Sequence, residues 1–301
     1  MASSPRRPLR PEAPRPRKGG FGDAGTLGEN GALPVAAELR PASEAALQQE
    51  LSRVEAALAP GAEWKDRVGG LLRLEGLVLG GACADHSTFP DLLLPLRVAL
   101  EQQLQERRSA VSRQACHVVT VLAETLGPRF EPMAAALMPA LFKAQAMCIT
   151  VVGEAADASA RALIRHCPSG RVLQQLGATV LQDKNVKLRQ AAAEYLLQAL
   201  GSWDAGVFAR QAAAVELAIT AAAQDACAQT REAGRAAFVA YFRGCPEAAA
   251  ALVRRVPDKD RALREKLTQA ANEAVGPGER RQHCRFFWPS IRRVTGYWRI
   301  I

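Results

Sequence analysis

Between about residue 43 and residue 276, apolar side chains recur with the period of an α-helix. Leu188, Ala191, Ala192, Tyr195, Leu196, Ala199 and Leu200 fall at i, i+3, i+4, i+7, i+8, i+11 and i+12, one continuous apolar face. Val68, Leu71, Leu72 and Leu79 make a similar stripe after Trp64. The pattern is broken at Pro60-Gly61, Gly80-Gly81, Gly127-Pro128, Cys167-Pro168, Gly201 to Asp204 and Cys245-Pro246, and each break predicts a helix end. A second set of short polar breaks, near 62–65, 106–109, 146–150, 183–187, 225–230 and 257–260, alternates with the first.

The second set recurs at intervals of roughly 30 to 45 residues, near the period of HEAT and armadillo repeats. The expected fold is therefore all-α: an α-solenoid of about six HEAT-like helical hairpins spanning residues 43–276. One hairpin cannot bury its apolar face alone, so the stack is expected to be a single cooperative domain. Two repeats share a finer signature, because Asp183 precedes Arg189 by six residues and Asp225 precedes Arg231 by six. An aspartate there can accept from backbone N–H groups at the start of a second helix. The arginine one turn later can pair with the aspartate of a neighbouring repeat and knit the stack together.

Composition agrees with helices. Of 301 residues, 49% are hydrophobic and only 5% aromatic, and alanine and leucine visibly outnumber the β-branched types, which argues against a β-sandwich or barrel. The net charge of +9 looks like a nucleic-acid signal until it is located: residues 1–20 carry +5, residues 277–301 carry +5, and the rest sums to −1. Residues 1–42, rich in Pro, Gly and Arg, read as a disordered arm. Basic arms of this kind attract polyanions weakly and without selection. No apolar h-region marks a secretory signal, the prolines oppose a transit-peptide helix, and no transmembrane segment is expected. The tail 277–301 has two readings, a basic-aromatic segment for an anionic membrane or partner groove, and a truncated or mis-spliced frame. Seven scattered cysteines read as reduced, buried small hydrophobes of a cytosolic chain.

Catalytic signatures are missing. The chain has no GxxxxGK[ST], GxGxxG, GxSxG or HExxH, and no carboxylate pair. His86, His117 and His166 lack metal-ligand spacing to Cys, Asp or Glu. Trp203, just past a helix end, is expected to cap the core. No enzyme activity, cofactor, metal or small-molecule substrate is expected.

The segments AEWKDRV (62–68), RRSAVSRQAC (107–116), KNVKLRQAAAEYLLQALGSW (184–203), DACAQTREAGRAAF (225–238) and PEAAAAL (246–252) together resemble the TOG domain of CLASP-type microtubule-associated proteins, and are also similar to the TOG domains of ciliary array proteins. The resemblance implies a paddle-shaped, non-catalytic solenoid that binds αβ-tubulin or microtubules through a row of turns on one thin edge and biases growth, pausing or rescue. By position it assigns Trp64 and Lys65 to the first turn, Arg108 and Ser109 to the second, Lys184, Asn185 and Lys187 to the fourth, and Arg231 to the fifth. At the third turn, AMCITVV (146–152), Thr150 stands where the family carries lysine, so that turn is expected to be silent and affinity lower. Trp64 is expected to protrude, Ser109 to cap its helix, and Arg231 to be shared with the Asp–Arg ladder. The resemblance implies a cytoplasmic, cytoskeletal place, at spindle or cilium. Two rivals stand beside it: a general HEAT scaffold binding another protein on its broad face, and a HEAT-like DNA-repair protein, which the neutral body opposes.

Overall fold

The computed structural model describes residues 32–274, so the basic stretches 1–20 and 277–301, and Cys284, lie outside the described residues. The chain forms α1 (Glu44–Ala57), α2 (Trp64–Leu79), α3 (Ala82–Asp85), α4 (Phe89–Leu92), α5 (Arg97–Leu104), α6 (Ser109–Leu126), α7 (Glu131–Gln145) and α8 (Thr150–His166). It continues through α9 (Gly170–Gln182), α10 (Val186–Ser202), α11 (Ala205–Arg210), α12 (Ala212–Gln224), α13 (Ala228–Gly244), α14 (Pro246–Arg255) and α15 (Arg261–Ala274). Six hairpins result: α1–α2, α5–α6, α7–α8, α9–α10, α12–α13 and α14–α15. The short α3 and α4 fill the connection between the first two, and α11 that between the fourth and fifth. Among the described residues no helix is long and apolar enough to cross a membrane.

Helix starts follow from side-chain caps. Ser43 Oγ accepts from the Ala46 N–H, Ser169 Oγ from that of Val172, and Asp204 Oδ1 from that of Gly206. Such caps satisfy N–H groups that the first helical turn leaves without partners. Each Pro/Gly break predicted from sequence falls at a junction of two helices, as at Gly80-Gly81 after α2, although Gly201 and Ser202 still close α10 and Pro246 already opens α14.

The hairpins stack in two layers. First helices α5, α7, α9, α12 and α14 pack in succession, and second helices α2, α6, α8, α10, α13 and α15 do the same. The second layer runs parallel. Tyr195 Oη donates to Asp157 at 2.6 Å and the Trp203 indole N–H donates to the Ile164 carbonyl at 2.5 Å in nearly one register between α8 and the end of α10, while the long Arg161 side chain reaches back to Glu194 at 2.6 Å. Trp203 also stacks on Phe208 and so closes the core as expected. The apolar face of α10 is buried from Leu188 to Leu200, with Ala191 alone half-buried.

Three differences from the sequence pattern have local causes. Leu79 closes the α2 stripe yet is 47% exposed, while Glu75 on the same helix is buried. Gln114 and His117 of the next repeat hold the Glu75 carboxylate at 2.8 and 3.0 Å, which compensates its burial. Residues 32–42, expected to belong to the disordered arm, lie extended along α2: Ala36 is buried and the Leu39 N–H donates to the Gly76 carbonyl at 2.9 Å. The chain comes so close that a Cβ at Gly76 or Gly80 would collide with the carbonyls of Ala37 or Leu39. Finally, Cys83, Cys116 and Cys167 are buried as expected, but Cys148 is exposed and Cys227 and Cys245 are half-buried. Cys148 and Cys227 stand in turns, where neither layer covers them.

Candidate partner-binding edge

Because the second helices are parallel, the turns leading into them line one edge of the stack. Every residue that the family resemblance assigned to the contact stands there, either in such a turn or within the first helical turn that follows it.

At the first turn Trp64 is the first residue of α2 and packs partly buried against the core. The Lys65 ammonium lies 5.7 Å from the indole centroid, and the Arg108 guanidinium of the next repeat lies 5.4 Å from it. The indole is therefore flanked by cations instead of protruding freely, since a cation over a ring face is attracted by its quadrupole. That pair of contacts also brings the first and second turns together.

Glu106 organises the second turn. Its Oε1 accepts from the N–H groups of Arg107 at 2.8 Å and Arg108 at 3.3 Å, while Oε2 accepts from Arg67 at 2.7 Å. Burial raises the Glu106 pKa, but the hydrogen bonds from Arg108, Arg67 and Arg107 outweigh it and hold the carboxyl below its ordinary range. Glu106 thus braces the turn just ahead of α6, and the N-cap residue itself makes no side-chain cap bond. Ser109, expected as the cap, is the first residue of α6, and Arg108 occupies the cap position with extended backbone.

At the fourth and fifth turns both aspartates accept from backbone N–H groups as the spacing suggested, but Arg189 alone of the two arginines pairs with a neighbouring repeat's aspartate. Asp183 Oδ1 accepts from the Asn185 N–H at 2.7 Å, and Asp225 Oδ1 from that of Cys227 at 2.8 Å. Arg189 then grips Asp225 with two bonds, 2.6 and 3.2 Å, and reaches back to the Asp183 carbonyl at 3.0 Å. The Arg189 hydrogen bond is the chief cause that lowers the Asp225 pKa, against desolvation. Asn185 caps α10 by accepting from the Lys187 N–H at 3.0 Å. Arg231 is engaged within its own turn, donating to the carbonyls of Asp225 and Ala226 at 2.7 Å each. Lys65, Arg108, Lys184 and Lys187 are all exposed.

Sequence reasoning missed Arg67 and Glu106. Arg67 follows the first residue of its helix by three, as Arg189, Arg231 and Arg264 follow theirs, and that shared offset was the available signal. The third turn breaks the ladder. It holds no acid between residues 146 and 149, and Gly153 takes the position that arginine occupies in the first, fourth, fifth and sixth repeats.

Comparison with known proteins agrees with this architecture. The model of the CLASP N-terminal family matches residues 47–266. A CLIP-associated protein of Arabidopsis thaliana is 31% identical over 251 residues, covering 83% of this chain and 17% of that protein, so the chain spans about a sixth of the relative's length. A chain from the structure of tubulin recruitment and assembly by microtubule polymerases with tumor overexpressed gene (TOG) domain arrays superposes with a TM-score of 0.55 at 18% identity, covering 73% of this chain and 45% of that one. The MAST/Orbit N-terminal domain gives 0.51 at 17% identity, covering 79% and 98%. At these identities the superpositions show a common fold, the TOG-type helical solenoid. The matched span takes in all six hairpins and the whole row of turns, and on that evidence the chain belongs to the CLASP N-terminal family.

Proposed function

We propose that this chain is a non-catalytic tubulin-binding module that regulates microtubule dynamics, and that the row of turns on its edge makes the contact. The observation that carries the reading is the indole of Trp64 held between Lys65 and Arg108, with Lys184 and Lys187 exposed further along the same edge. A desolvated aromatic anchor with flanking cations has the composition of an interface hot spot for an acidic protein surface. The shared fold with the tubulin-recruiting polymerases supports the same partner.

Trp64, Lys65, Arg108, Lys184 and Lys187 touch the partner in this reading, while Ser109 and Asn185 begin the helices that present them. Arg231 acts through the shape of its turn. Binding at several turns at once favours whichever tubulin curvature fits the edge, and only such a difference in affinity can stabilise, pause or rescue a microtubule. The basic stretches at 1–20 and 277–301 add a second, weak polyanion contact on the acidic lattice. The place of action is the microtubule cytoskeleton, at the spindle or in the cilium.

Gel filtration of the chain with purified αβ-tubulin across a salt series tests this. We expect co-elution that weakens as salt rises, because exposed charges are screened. Trp64→Glu with Lys184→Ala should abolish it, in line with the ~2–4 kcal/mol typical of such anchors. Lys184→Glu with Lys187→Glu, confined to exposed positions, gives a second arm that leaves the core alone. Unchanged binding in both would overturn the assignment of the edge.

A further inference from the structure

The third turn, which lacks the lysine that the family resemblance called for, carries something else. Val151 is 46% exposed and Val186 is 45% exposed, and Cys148, in the turn between α7 and α8, is exposed as well. Met147 and Ile149 sit half-buried beneath them, packed on the core. The register that sets Asp157 beside Tyr195 and Ile164 beside Trp203 places Val186 level with Met147 and Cys148. On the other side, the Cys167 thiol donates to the Gly127 carbonyl at 3.3 Å, a register that sets the third turn beside Arg108 and Ser109. An apolar strip therefore lies in the middle of the edge, with Arg108 before it and Lys184 and Lys187 flanking its Val186 end.

We infer that the third turn is an apolar seat in the tubulin interface, formed by Val151, Val186 and the Met147–Ile149 turn, and that it takes an uncharged apolar patch of the partner flanked by its acidic groups. This rests on the edge reading above. Charge placement supports it. The turn has no acid between residues 146 and 149, and Gly153 leaves it without the arginine that the first, fourth, fifth and sixth repeats use. A charge held here would be desolvated by a partner on both flanks, whereas two valines lose water favourably. Apolar centre and charged rim is the ordinary anatomy of a specific interface.

The test uses the full chain, purified αβ-tubulin and three variants. Val151→Ser with Val186→Ser removes apolar surface without adding charge, and should weaken binding about tenfold, mainly through faster dissociation. Its salt dependence should match that of the unaltered chain. Leu94→Ser with Val98→Ser removes exposed apolar groups (42% and 50% exposed) that lie away from these turns, and should leave affinity unchanged. Trp64→Ala reports on the edge itself. Cys148 supplies a native probe: tubulin should protect its thiol from maleimide, read by peptide mapping, while Cys83, Cys116 and Cys167 stay unreactive because burial pushes their thiols up to about 11, 12 and 12. If Trp64→Ala weakens binding while the valine pair and the Cys148 labelling rate do not respond, the apolar seat is wrong and the edge stands. If Trp64→Ala also has no effect, the edge reading has failed and the seat fails with it.

Discussion

Removing Asp225 should uncouple the fourth and fifth hairpins more than any other single carboxylate in the ladder. Its side chain is 6% exposed and that of Arg189 is 16% exposed, so the pair is screened by little water. In Asp225→Ala two things are lost at once. The Cys227 N–H loses its acceptor, a hydrogen bond worth about 1 kcal/mol. Arg189 loses both carboxylate bonds and keeps a nearly buried charge, a situation that costs ~3–5 kcal/mol when nothing compensates. Here the carbonyls of Asp183 and Lys184 still accept from Arg189 at 3.0 and 3.3 Å, which offsets part of the loss. The net is about 3 kcal/mol, or roughly 6–12 °C in melting temperature for a domain of this length. Urea and thermal unfolding of Asp225→Ala, Arg189→Met and the double variant would give the coupling energy directly, and at least ~1.5 kcal/mol is expected. The exposed pair Arg261–Glu265, with side chains 66% and 56% exposed, serves as the comparison. Its Glu265→Ala variant should cost below ~0.5 kcal/mol. Additive effects for Arg189 and Asp225, or a cost of Asp225→Ala under about 1 kcal/mol, would refute the ladder as a structural element.

The same acids fix the response to pH. Folded Glu106 and Asp225 titrate below their ordinary values of 4.5 and 3.8, so their contribution is complete above those values and is lost as pH falls through the lower folded ones. Unfolding free energy should be flat from these groups between about pH 5 and 8 and fall below about pH 4.5, with a smaller acid loss in Asp225→Ala; an equal loss in the variant would be the contrary result. The segment along α2 gives a paired test. Gly69, where a Cβ meets nothing within 4 Å, should gain about 0.5–1 kcal/mol on substitution by Ala. Gly76→Ala should gain nothing and should release the Leu39 amide to hydrogen exchange, and continued protection of that amide would disprove close docking of residues 32–42.

How far the sequence could be read depended on the range of each interaction. The α10 face was legible because its apolar residues obey one local period and bury together. The Asp–Arg ladder was legible where the spacing repeated, at Asp183/Arg189 and Asp225/Arg231, and hidden at Arg67–Glu106, where glutamate replaces aspartate and the partners are 39 residues apart. Glu75 broke the polar pattern inside a core stripe, since the groups that satisfy it come from the next repeat. Gly76 and Gly80 gave the only trace of the docked 32–42 segment, and a glycine in a helix shows close approach without showing what approaches. Residue types at the edge were readable from turn position. Their orientation was not, because Arg108 leans over Trp64 only once two repeats are stacked.

The ladder also accounts for how the edge presents its charges. Glu106 and Asp225 answer Arg67 and Arg189, and Asp183 is occupied by the Asn185 N–H, so these acids are turned to internal work. Arg108, Lys184 and Lys187 are left exposed at the second and fourth turns. The first turn differs, because the exposed acids Glu63 and Asp66 balance Lys65, and its distinctive offer is the indole. The third turn has neither acid nor ladder arginine, and its hairpin is tied to the fourth lower down, through Asp157, Arg161, Glu194 and Tyr195. Stack cohesion and surface chemistry are thus separated by position: charge pairs are spent where turns meet, and the groups that remain run in the order aromatic, cationic, apolar, cationic along one edge. An acidic partner with an apolar patch between its charges matches that order, whereas a polyanion with uniform charge gains nothing from the third turn. Duplex DNA competing equally with tubulin for the Trp64 and Val151 positions would contradict this argument.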